Sequence, residues 1–276
     1  MTDNAIFFTS LHVQGLALKL ETRWIAPERS DAPLIVFLHE GLGSISMWGD
    51  WPEQLCAATG CRGLMYSRYG YGHSTPRPAG DDWPVDYMHV EARQILPALF
   101  EALRIDTIRD RPVLFGHSDG GSISLLYAAA FPYRVAGIVV VAPHSYIEDI
   151  GLVRIRQVRD NYGATLRDRL GPHHADADAV FKGWSDLWLS PALKQWDITE
   201  DLPNIVCPVL AVQGEQDQYA TLNQLDDIRH AVPQTELLIL ENCRHSPHQE
   251  QPQALLEGTA RFLQSLQNED QQANSP

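Results

Sequence analysis

Short apolar runs of strand length recur along the chain, each bounded by glycine, proline or other turn-forming residues. Near-continuous runs rich in Val, Ile and Leu are what a parallel sheet buried on both faces requires. Residues 5–26 instead alternate between apolar and polar positions around one glycine, and therefore predict an amino-terminal pair of strands. The continuous runs are PLIVFLH (33–39), RGLMYS (62–67), RPVLFGH (111–117), VAGIVVVAPH (135–144), CPVLAVQG (207–214) and TELLILEN (235–242).

Helical periodicity fills several of the intervals between these runs. SLLYAAAF follows the run 111–117, and residues 248–266 close the chain with a helical pattern. Alternation of strands and helices predicts right-handed crossovers, and hence an α/β fold with a doubly wound, mostly parallel sheet of eight strands. Residues 86–103 predict one helix whose apolar face contains Met88, Ala92, Ile95, Leu96, Leu99 and Leu103.

Residues 145–203 interrupt this alternation, because no strand pattern occurs there and charged residues and tryptophans are frequent. A structureless loop of that length would be unusual inside a compact domain. The segment therefore predicts a small helical cap, inserted after the sixth strand between the core segments 1–144 and 204–267. The polar residues 268–276 are expected to form a disordered tail.

Composition bears mainly on partners and compartment. The formal net charge of −14 argues against nucleic acid, which binds clustered Lys and Arg. The amino terminus lacks the pattern of a secretory signal, and no apolar run reaches the roughly 18 residues of a membrane-spanning helix. Four cysteines in 276 residues do not form a disulfide framework. We therefore expect a cytoplasmic protein that binds a small molecule and neither nucleic acid nor a membrane.

A Gly-x-Ser-x-Gly motif stands between a predicted strand and a predicted helix. Residues 116–121 read GHSDGG, directly after RPVLF and before SISLLYAAAF. A strand that turns sharply into a helix holds such a serine in a strained conformation, with its hydroxyl exposed at the carboxyl edge of the sheet. Gly116 and Gly120 are expected where the helix and a neighbouring strand come too close for side chains. The helix amino terminus behind Ser118 also favours negative charge on an attacked carbonyl.

Candidates for a base and its acid follow the last two predicted strands. A serine hydroxyl is a weak nucleophile unless a histidine accepts its proton and a carboxylate holds that histidine in one tautomer. With a serine in this type of turn, the order along the chain is Ser, then Asp or Glu, then His. Asp217 and His245 occur in that order, at the edge that presents Ser118. Glu215 and His248 are the rival acid and base; we favour His245 because His248 falls at the start of the final helix.

The loop HEGLGS (39–44) follows the first continuous run and predicts an oxyanion hole. Such a hole needs one backbone N–H from the residue after the nucleophile, here Asp119, and a second from this earlier loop. Glycines in the loop allow its backbone to approach the substrate. Gly41 is the expected second donor, with Leu42 as the alternative in register.

Two histidine patterns are candidates for a metal site, but neither has the residues that such a site needs. The loop begins with His-Glu, but Gly43 stands where the zinc motif HExxH needs its second histidine. His173 and His174 form an isolated pair in a polar stretch and are expected to be solvated. There is also no phosphate-binding glycine loop followed by a suitable acid. The sequence therefore predicts neither a metal nor a cofactor.

These motifs, in this order, resemble those of the α/β-hydrolase superfamily over residues 5–266. HEGLGS, GHSDGG, GEQDQ and RHSPHQEQP carry the resemblance, with SRYGYGHS (67–74), which is similar to the family's Arg-x-Gly-x-Gly-x-Ser loop. The resemblance implies a catalytic triad of Ser118, Asp217 and His245, and a cap that determines substrate choice. It implies hydrolysis of a small carboxylic ester through an acyl-enzyme, with thioesters, lactones, amides and carbon–carbon bonds as alternatives for the same triad.

Two positions depart from the family pattern. Glu40 stands where glycine is common in the family's HGxxG loop, and Cys243–Arg244 precede His245 where Cys-Gly or Gly is usual. Neither departure removes a catalytic atom. Glu40 adds a carboxyl group near the expected oxyanion hole.

Asp119, directly after the nucleophile, resembles the arrangement in valacyclovir hydrolase, where the acid recognises a substrate ammonium group. This resemblance suggests amino-ester substrates as a hypothesis. The structural alternative is a favourable interaction of the acid with the helix dipole, typically ~0.3–1 kcal/mol. By the same mapping His144 lies at the pocket rim, and Trp184 and Trp188 of the cap contact substrate.

A non-enzymatic function stays open beside these expectations. The same fold serves in ligand-binding proteins without activity, and fold alone does not determine function. Competent residues at all three triad positions favour an enzyme, although a sensor that hydrolyses its ligand slowly would retain them too. The sequence leaves the natural substrate and the oligomeric state open.

Overall fold

One eight-stranded sheet organises the chain in the computed structural model, which describes residues 5–78, 80 and 83–273. Its strands are β1 (Phe7–Val13), β2 (Leu16–Ile25), β3 (Leu34–Leu38), β4 (Arg62–Tyr66), β5 (Val113–His117), β6 (Gly137–Val141), β7 (Val209–Gly214) and β8 (Thr235–Leu240). Their order across the sheet is β1-β2-β4-β3-β5-β6-β7-β8. Strands β3 to β8 run parallel, whereas β2 is antiparallel to both β1 and β4. The predicted fold class is confirmed.

The parallel strands form the centre of the fold because they are apolar on both faces. Every residue of β3, β5, β6 and β7 is buried, as continuous apolar runs require. In β1, by contrast, buried and exposed residues alternate, so only one of its faces packs against the protein. The carboxyl ends of β5, β7 and β8 meet at one edge of the sheet, where ligands bind in open α/β sheets.

Helices follow most of the strands, and α11 continues further than expected. Residues 268–273 are helical where the sequence predicted a disordered tail, and residues 274–276 lie outside the described residues. Within the described part of the chain, no helix is both long and apolar enough to cross a membrane. The helices are α1 (Trp51–Thr59), α2 (Tyr87–Val90), α3 (Leu96–Ala102), α4 (Asp119–Ala130), α5 (Asp149–Asp160), α6 (Tyr162–Thr165), α7 (Arg167–Leu170), α8 (Ala177–Trp188), α9 (Asn223–Ala231), α10 (Pro247–Glu250) and α11 (Pro252–Ala273).

Two clusters of buried side chains lie on the two faces of the sheet. Neighbouring residues of β5 divide between them, since Leu114 packs in one cluster and Phe115 in the other. The Leu114 cluster includes residues of α3 and α4, and the Phe115 cluster includes residues of α1 and α11. Helices therefore cover both faces, which is the doubly wound arrangement.

The helix predicted over 86–103 is built in three parts. A π-helical turn, Glu91–Ile95, joins α2 to α3. Such a turn is a local bulge in the helix, with hydrogen bonds that span one residue more than those of an α-helix. Met88 and Leu99 are fully buried as predicted, whereas Leu103 is only half-buried.

The segment 145–203 contains α5 to α8 and is named the insertion. Its two ends meet, because Tyr146 pairs with Asp197 and the Ile198 N–H donates to the Ser145 carbonyl at 2.8 Å. Its longest buried face belongs to α8. Asp176 caps this helix, because its side chain accepts a hydrogen bond from the Ala179 N–H. That face carries Phe181, Trp184, Leu187 and Trp188, and so places two tryptophans against the rest of the molecule.

Candidate active site

Ser118 occupies a sharp turn between β5 and α4. Its φ is +53° and its ψ is −116°, a conformation that L-residues rarely adopt. A Cβ on Gly116 would overlap the Gly120 carbonyl, and a Cβ on Gly120 would overlap the Leu38 carbonyl. Both glycines therefore permit the close approach that the motif predicted. The Ser118 N–H donates to the Val141 carbonyl at 2.8 Å, which ties the turn to β6.

Backbone strain at Ser118 leads to a stability prediction. The Ser118→Gly protein is expected to have a free energy of unfolding about 1–2 kcal/mol higher than the Ser118→Ala protein, because only glycine adopts this positive φ without strain. Both variants lack the hydroxyl, so their difference isolates the backbone. Urea denaturation of the two proteins measures it, and a Ser118→Ala protein that is more stable than Ser118→Gly by about 0.4–1 kcal/mol would show that the turn is unstrained.

The structure brings Asp217 and His245 together beyond the ends of β7 and β8. His245 Nδ1 lies 2.9 Å from each carboxylate oxygen of Asp217. Burial alone would raise the pKa of the Asp217 carboxyl, but the His245 imidazole and the Tyr219 N–H outweigh it and lower that pKa. Asp217 is therefore an ionised acceptor that holds the proton of His245 on Nδ1. The Tyr219 ring covers the imidazole, with its centroid 4.6 Å away.

Glu215 and His248, the rival acid and base, do not form the carboxylate–imidazole pair. Glu215 is exposed to solvent. His248 is buried, with its ring 5.2 Å from that of Trp48 and 4.9 Å from that of His117. Burial and the nearby His117 lower the pKa of His248 to about 3, so it is neutral at ordinary pH.

The oxyanion loop after β3 is fixed at its start by His39. The Arg68 N–H donates to His39 Nε2 at 2.9 Å, so Nδ1 carries the ring proton and donates to the Glu40 carbonyl at 2.8 Å. Within the described part of the chain the Gly41 N–H donates no hydrogen bond. The Asp119 N–H, at the first position of α4, has no partner inside its helix. Neither predicted donor has a partner among the described residues, so both can bind an anion.

His174 of the insertion supports the same loop. The Gly72 N–H donates to His174 Nδ1 at 3.0 Å, and His174 Nε2 donates to the Leu42 carbonyl at 2.9 Å. Burial lowers the pKa of His174 and keeps the neutral form that this pair of bonds needs. The expectation that His174 is solvated is therefore wrong. Nδ1 of its neighbour His173 forms a 2.8 Å hydrogen bond with the Ser46 hydroxyl.

A second carboxylate–imidazole pair lies behind His245. His117 Nε2 donates to the His245 carbonyl at 2.8 Å, and His117 Nδ1 faces the Glu40 carboxylate at 3.5 Å. Both ring nitrogens thus face acceptors, as in a protonated imidazole. Burial opposes both charges, but their attraction outweighs it, so the pKa of Glu40 is lowered and that of His117 is raised. Glu40 therefore acts through His117 on the His245 backbone.

This pair predicts a pH-dependent stability. The contribution of His117 is present below its unfolded pKa of about 6.5 and is lost as pH rises through its higher folded pKa. The contribution of Glu40 is present above its ordinary value of 4.5 and is lost as pH falls towards its lower folded pKa. The Tm difference between wild type and Glu40→Gln should therefore peak between those two values and shrink at alkaline pH.

Thermal denaturation across pH 4 to 9 measures this difference. Glu236→Gln, which removes an exposed carboxyl group on β8, is the matched control and should show no peak. A Tm loss in Glu40→Gln that stays constant with pH would mean that packing, and not charge, makes Glu40 important.

Aromatic side chains from α2 and α8 stand over the start of α4. Trp188 Nε1 donates to the Tyr87 hydroxyl at 3.3 Å, and that hydroxyl donates to Asp119 Oδ2 at 2.7 Å. The ring of His144 lies 5.3 Å from that of Trp188 and 6.3 Å from that of His245. Burial and the nearby His245 lower the pKa of His144 to about 4. The His144 imidazole next to the candidate base is therefore neutral at ordinary pH.

Asp119 is buried and already has a cationic partner. Arg68 Nη2 lies 3.2 Å from Asp119 Oδ2, and each of the two side chains is only 1% exposed. Arg68 is fixed in turn by a 2.8 Å hydrogen bond to the Glu40 carbonyl. The negative charge of Asp119 is therefore balanced within the protein, which weakens its attraction for a cationic substrate.

Comparison with known proteins identifies the family of the chain. A family model described as "Alpha/beta hydrolase family" matches residues 35–257, which is most of the chain. The chain belongs to the α/β-hydrolase family. Human serine hydrolase BPHL is 27% identical over 186 residues, which cover 65% of this hydrolase and 61% of the human protein. A proline iminopeptidase of Saccharolobus solfataricus is 23% identical over 245 residues, covering 74% of this chain and 76% of the relative.

Solved structures share the fold of this α/β hydrolase at low identity. A thermophilic esterase from Thermogutta terrifontis aligns with a TM-score of 0.70 and 17% identity, covering 95% of this chain and 99% of the esterase. The enol-lactonase from Burkholderia xenovorans LB400 aligns with a TM-score of 0.71 and 21% identity, covering 92% of this chain and 99% of the lactonase. The family model thus establishes the family, and the solved structures agree with it in fold.

Several residues near the site of this hydrolase have no clear signal in the sequence. Arg68 belongs to the glycine-rich loop that the motifs identified, but nothing local indicates its partner. Glu40 stands out only as a departure from the family pattern. Tyr87, His117 and Tyr219 carry no signal of their own, because each acts on a residue from another part of the chain.

Proposed function

We propose that this hydrolase cleaves small carboxylic esters through an acyl-enzyme formed on Ser118. The observation that carries the proposal is the 2.9 Å contact of His245 Nδ1 with Asp217, beside the strained turn that presents Ser118. With the proton held on Nδ1, His245 offers the Nε2 lone pair as an acceptor on the other side of the ring. That is the arrangement in which an imidazole activates a serine.

In the proposed reaction, His245 Nε2 takes the proton of Ser118 Oγ while Oγ attacks the ester carbonyl. The N–H groups of Gly41 and Asp119 bind the oxyanion that forms. Collapse of this intermediate breaks the bond to the alcohol, which leaves with the proton from His245. Water then attacks the acyl-enzyme by the same route, giving the acid and free Ser118.

Names of relatives are consistent with acyl chemistry on a serine. The human relative is a serine hydrolase, and a relative from Rattus norvegicus, 24% identical over 189 residues, is a monoacylglycerol lipase. Others are an iminopeptidase and a putative carbamate hydrolase.

Labelling with a fluorophosphonate probe, followed by intact-mass measurement, tests the proposal. A single adduct is expected on the wild type and none on Ser118→Ala. Esters, thioesters and lactones with a common chromogenic readout then identify the bond. A folded wild type that remains unlabelled and hydrolyses none of them would contradict the proposal and make a ligand-binding function the better interpretation.

A further inference from the structure

Two buried polar atoms at the predicted oxyanion loop lack hydrogen-bond partners among the described residues. They are Asp119 Oδ1 and Trp184 Nε1, whose residues are 1% and 6% exposed. Leaving such a group unpaired in the interior costs about 1–3 kcal/mol, so an unpaired buried group calls for an explanation, such as a ligand that it binds. One is an acceptor and the other is a donor.

Both atoms flank Gly41. A Cβ built on Gly41 would overlap the Trp184 indole nitrogen and would lie 3.2 Å from Asp119 Oδ1. Gly41 and Asp119 are also the residues whose backbone N–H groups are proposed to bind the carbonyl oxygen of the substrate. The unpaired atoms therefore lie within reach of a substituent on the acyl carbon next to that carbonyl.

The other oxygen of Asp119 is fully occupied. Oδ2 accepts from Arg68 Nη2 at 3.2 Å and from the Tyr87 hydroxyl at 2.7 Å. These bonds orient the carboxylate and balance its charge, leaving Oδ1 as an acceptor in a neutral pair. A second cation at Oδ1 would lose its hydration and share a carboxylate already paired, which is costly in a buried site.

The Trp184 indole N–H distinguishes a hydroxyl substituent from an ammonium substituent. An ammonium group carries three donors and no acceptor, so it would satisfy Asp119 Oδ1 and leave the indole N–H unpaired. A hydroxyl group is donor and acceptor at once, and one hydroxyl can satisfy both atoms. The pair therefore matches a neutral hydroxyl and not an ammonium.

We propose that the site recognises 2-hydroxyacyl esters, with the hydroxyl donating to Asp119 Oδ1 and accepting from Trp184 Nε1–H. This inference rests on the proposed acyl transfer at Ser118, because that reaction fixes where the acyl group lies. It assigns Trp184 and Asp119 as specificity-determining residues. The proposal also replaces the amino-ester hypothesis, because a neutral hydroxyl group takes the position of the substrate ammonium group.

Phenyl esters of propionate, lactate and alanine differ at the acyl carbon alone and test the proposal. After division by the rate of hydroxide-catalysed hydrolysis, kcat/KM for the lactate ester should exceed that for the propionate ester by at least about tenfold, and exceed that for the alanine ester. In Trp184→Phe the lactate-to-propionate ratio should fall about tenfold. Asp119→Asn, which keeps the side-chain shape, should lower the same ratio.

Trp196→Phe is the matched control, since Trp196 Nε1 is also buried and unpaired among the described residues but lies by His89. Its ratio should equal that of the wild type. Circular dichroism and Tm establish that each variant is folded. A wild-type ratio near one, or a ratio that falls equally in Trp184→Phe and Trp196→Phe, would overturn the proposal, and a preference for the alanine ester would restore the amino-ester hypothesis.

Binding separates failure of this inference from failure of the proposed function. Ser118→Ala should bind phenyl lactate about tenfold more tightly than phenyl propionate, measured by quenching of tryptophan fluorescence. If no ester is hydrolysed and no probe labels Ser118, the acyl-transfer mechanism is wrong while this affinity difference still decides the recognition. Equal affinities in a folded protein would contradict the inference even if the esterase is active.

Discussion

Replacing His245 by alanine is expected to lower kcat for ester hydrolysis by about 10⁶-fold, and Ser118→Ala is expected to lower it equally. The two residues act as one unit, because the hydroxyl cannot attack without a base and the base has no other proton to take. The double variant should therefore be no slower than either single variant. Residual activity would then report the oxyanion hole and binding alone.

Steady-state kinetics on the three variants measures this non-additivity. His248→Ala is the informative comparison, because His248 is the rival base in sequence but is buried against Trp48 and His117. Losses that multiply in the double variant, or a His245→Ala protein within about a hundredfold of wild type, would require another base.

Asp217→Asn is expected to reduce kcat by about 10⁴-fold with little change in KM. The asparagine amide can donate to His245 Nδ1, which favours the tautomer whose proton sits on Nε2, where it cannot accept from Ser118. Because the pKa of Asp217 is lowered, its carboxylate is ionised throughout the neutral range. The asparagine amide does not titrate in this range either, so changing the pH between 6 and 8 should not restore the variant.

Glu215→Gln provides the matched comparison for this substitution. It makes the same change from carboxylate to amide two residues earlier, on an exposed side chain. Its kcat should stay within about twofold of wild type, as for surface substitutions generally. Equal losses in the two variants would mean that net charge near the site, and not the tautomer of His245, controls the rate.

Local patterns sufficed to predict the strands and the order of the candidate residues. Continuous apolar runs identify buried parallel strands, and residues directly after such strands share one edge of the sheet. Asp217 and His245 could be paired in this way before any contact was known. Gly116 and Gly120 could be explained similarly, because a strand-to-helix turn brings backbone against backbone.

Contacts between distant segments could not be predicted in this way. The group formed by Arg68, Tyr87 and Asp119 joins three segments, and each side chain has other reasonable partners in an unfolded sequence. His174 looked solvated because its neighbours are polar, whereas its burial depends on loops more than a hundred residues earlier. The π-helical turn at Glu91–Ile95 is likewise invisible in apolar periodicity.

The two hydrogen bonds of His174 have a consequence for protein engineering. Because this residue belongs to the insertion but holds the carbonyl of Leu42 and the N–H of Gly72, the insertion is not an exchangeable module. A chimera that receives the segment 145–203 from another hydrolase would therefore lose support for its oxyanion loop. Grafts that retain residues 171–176 of this chain should keep both hydrogen bonds of His174, and with them the support of the oxyanion loop.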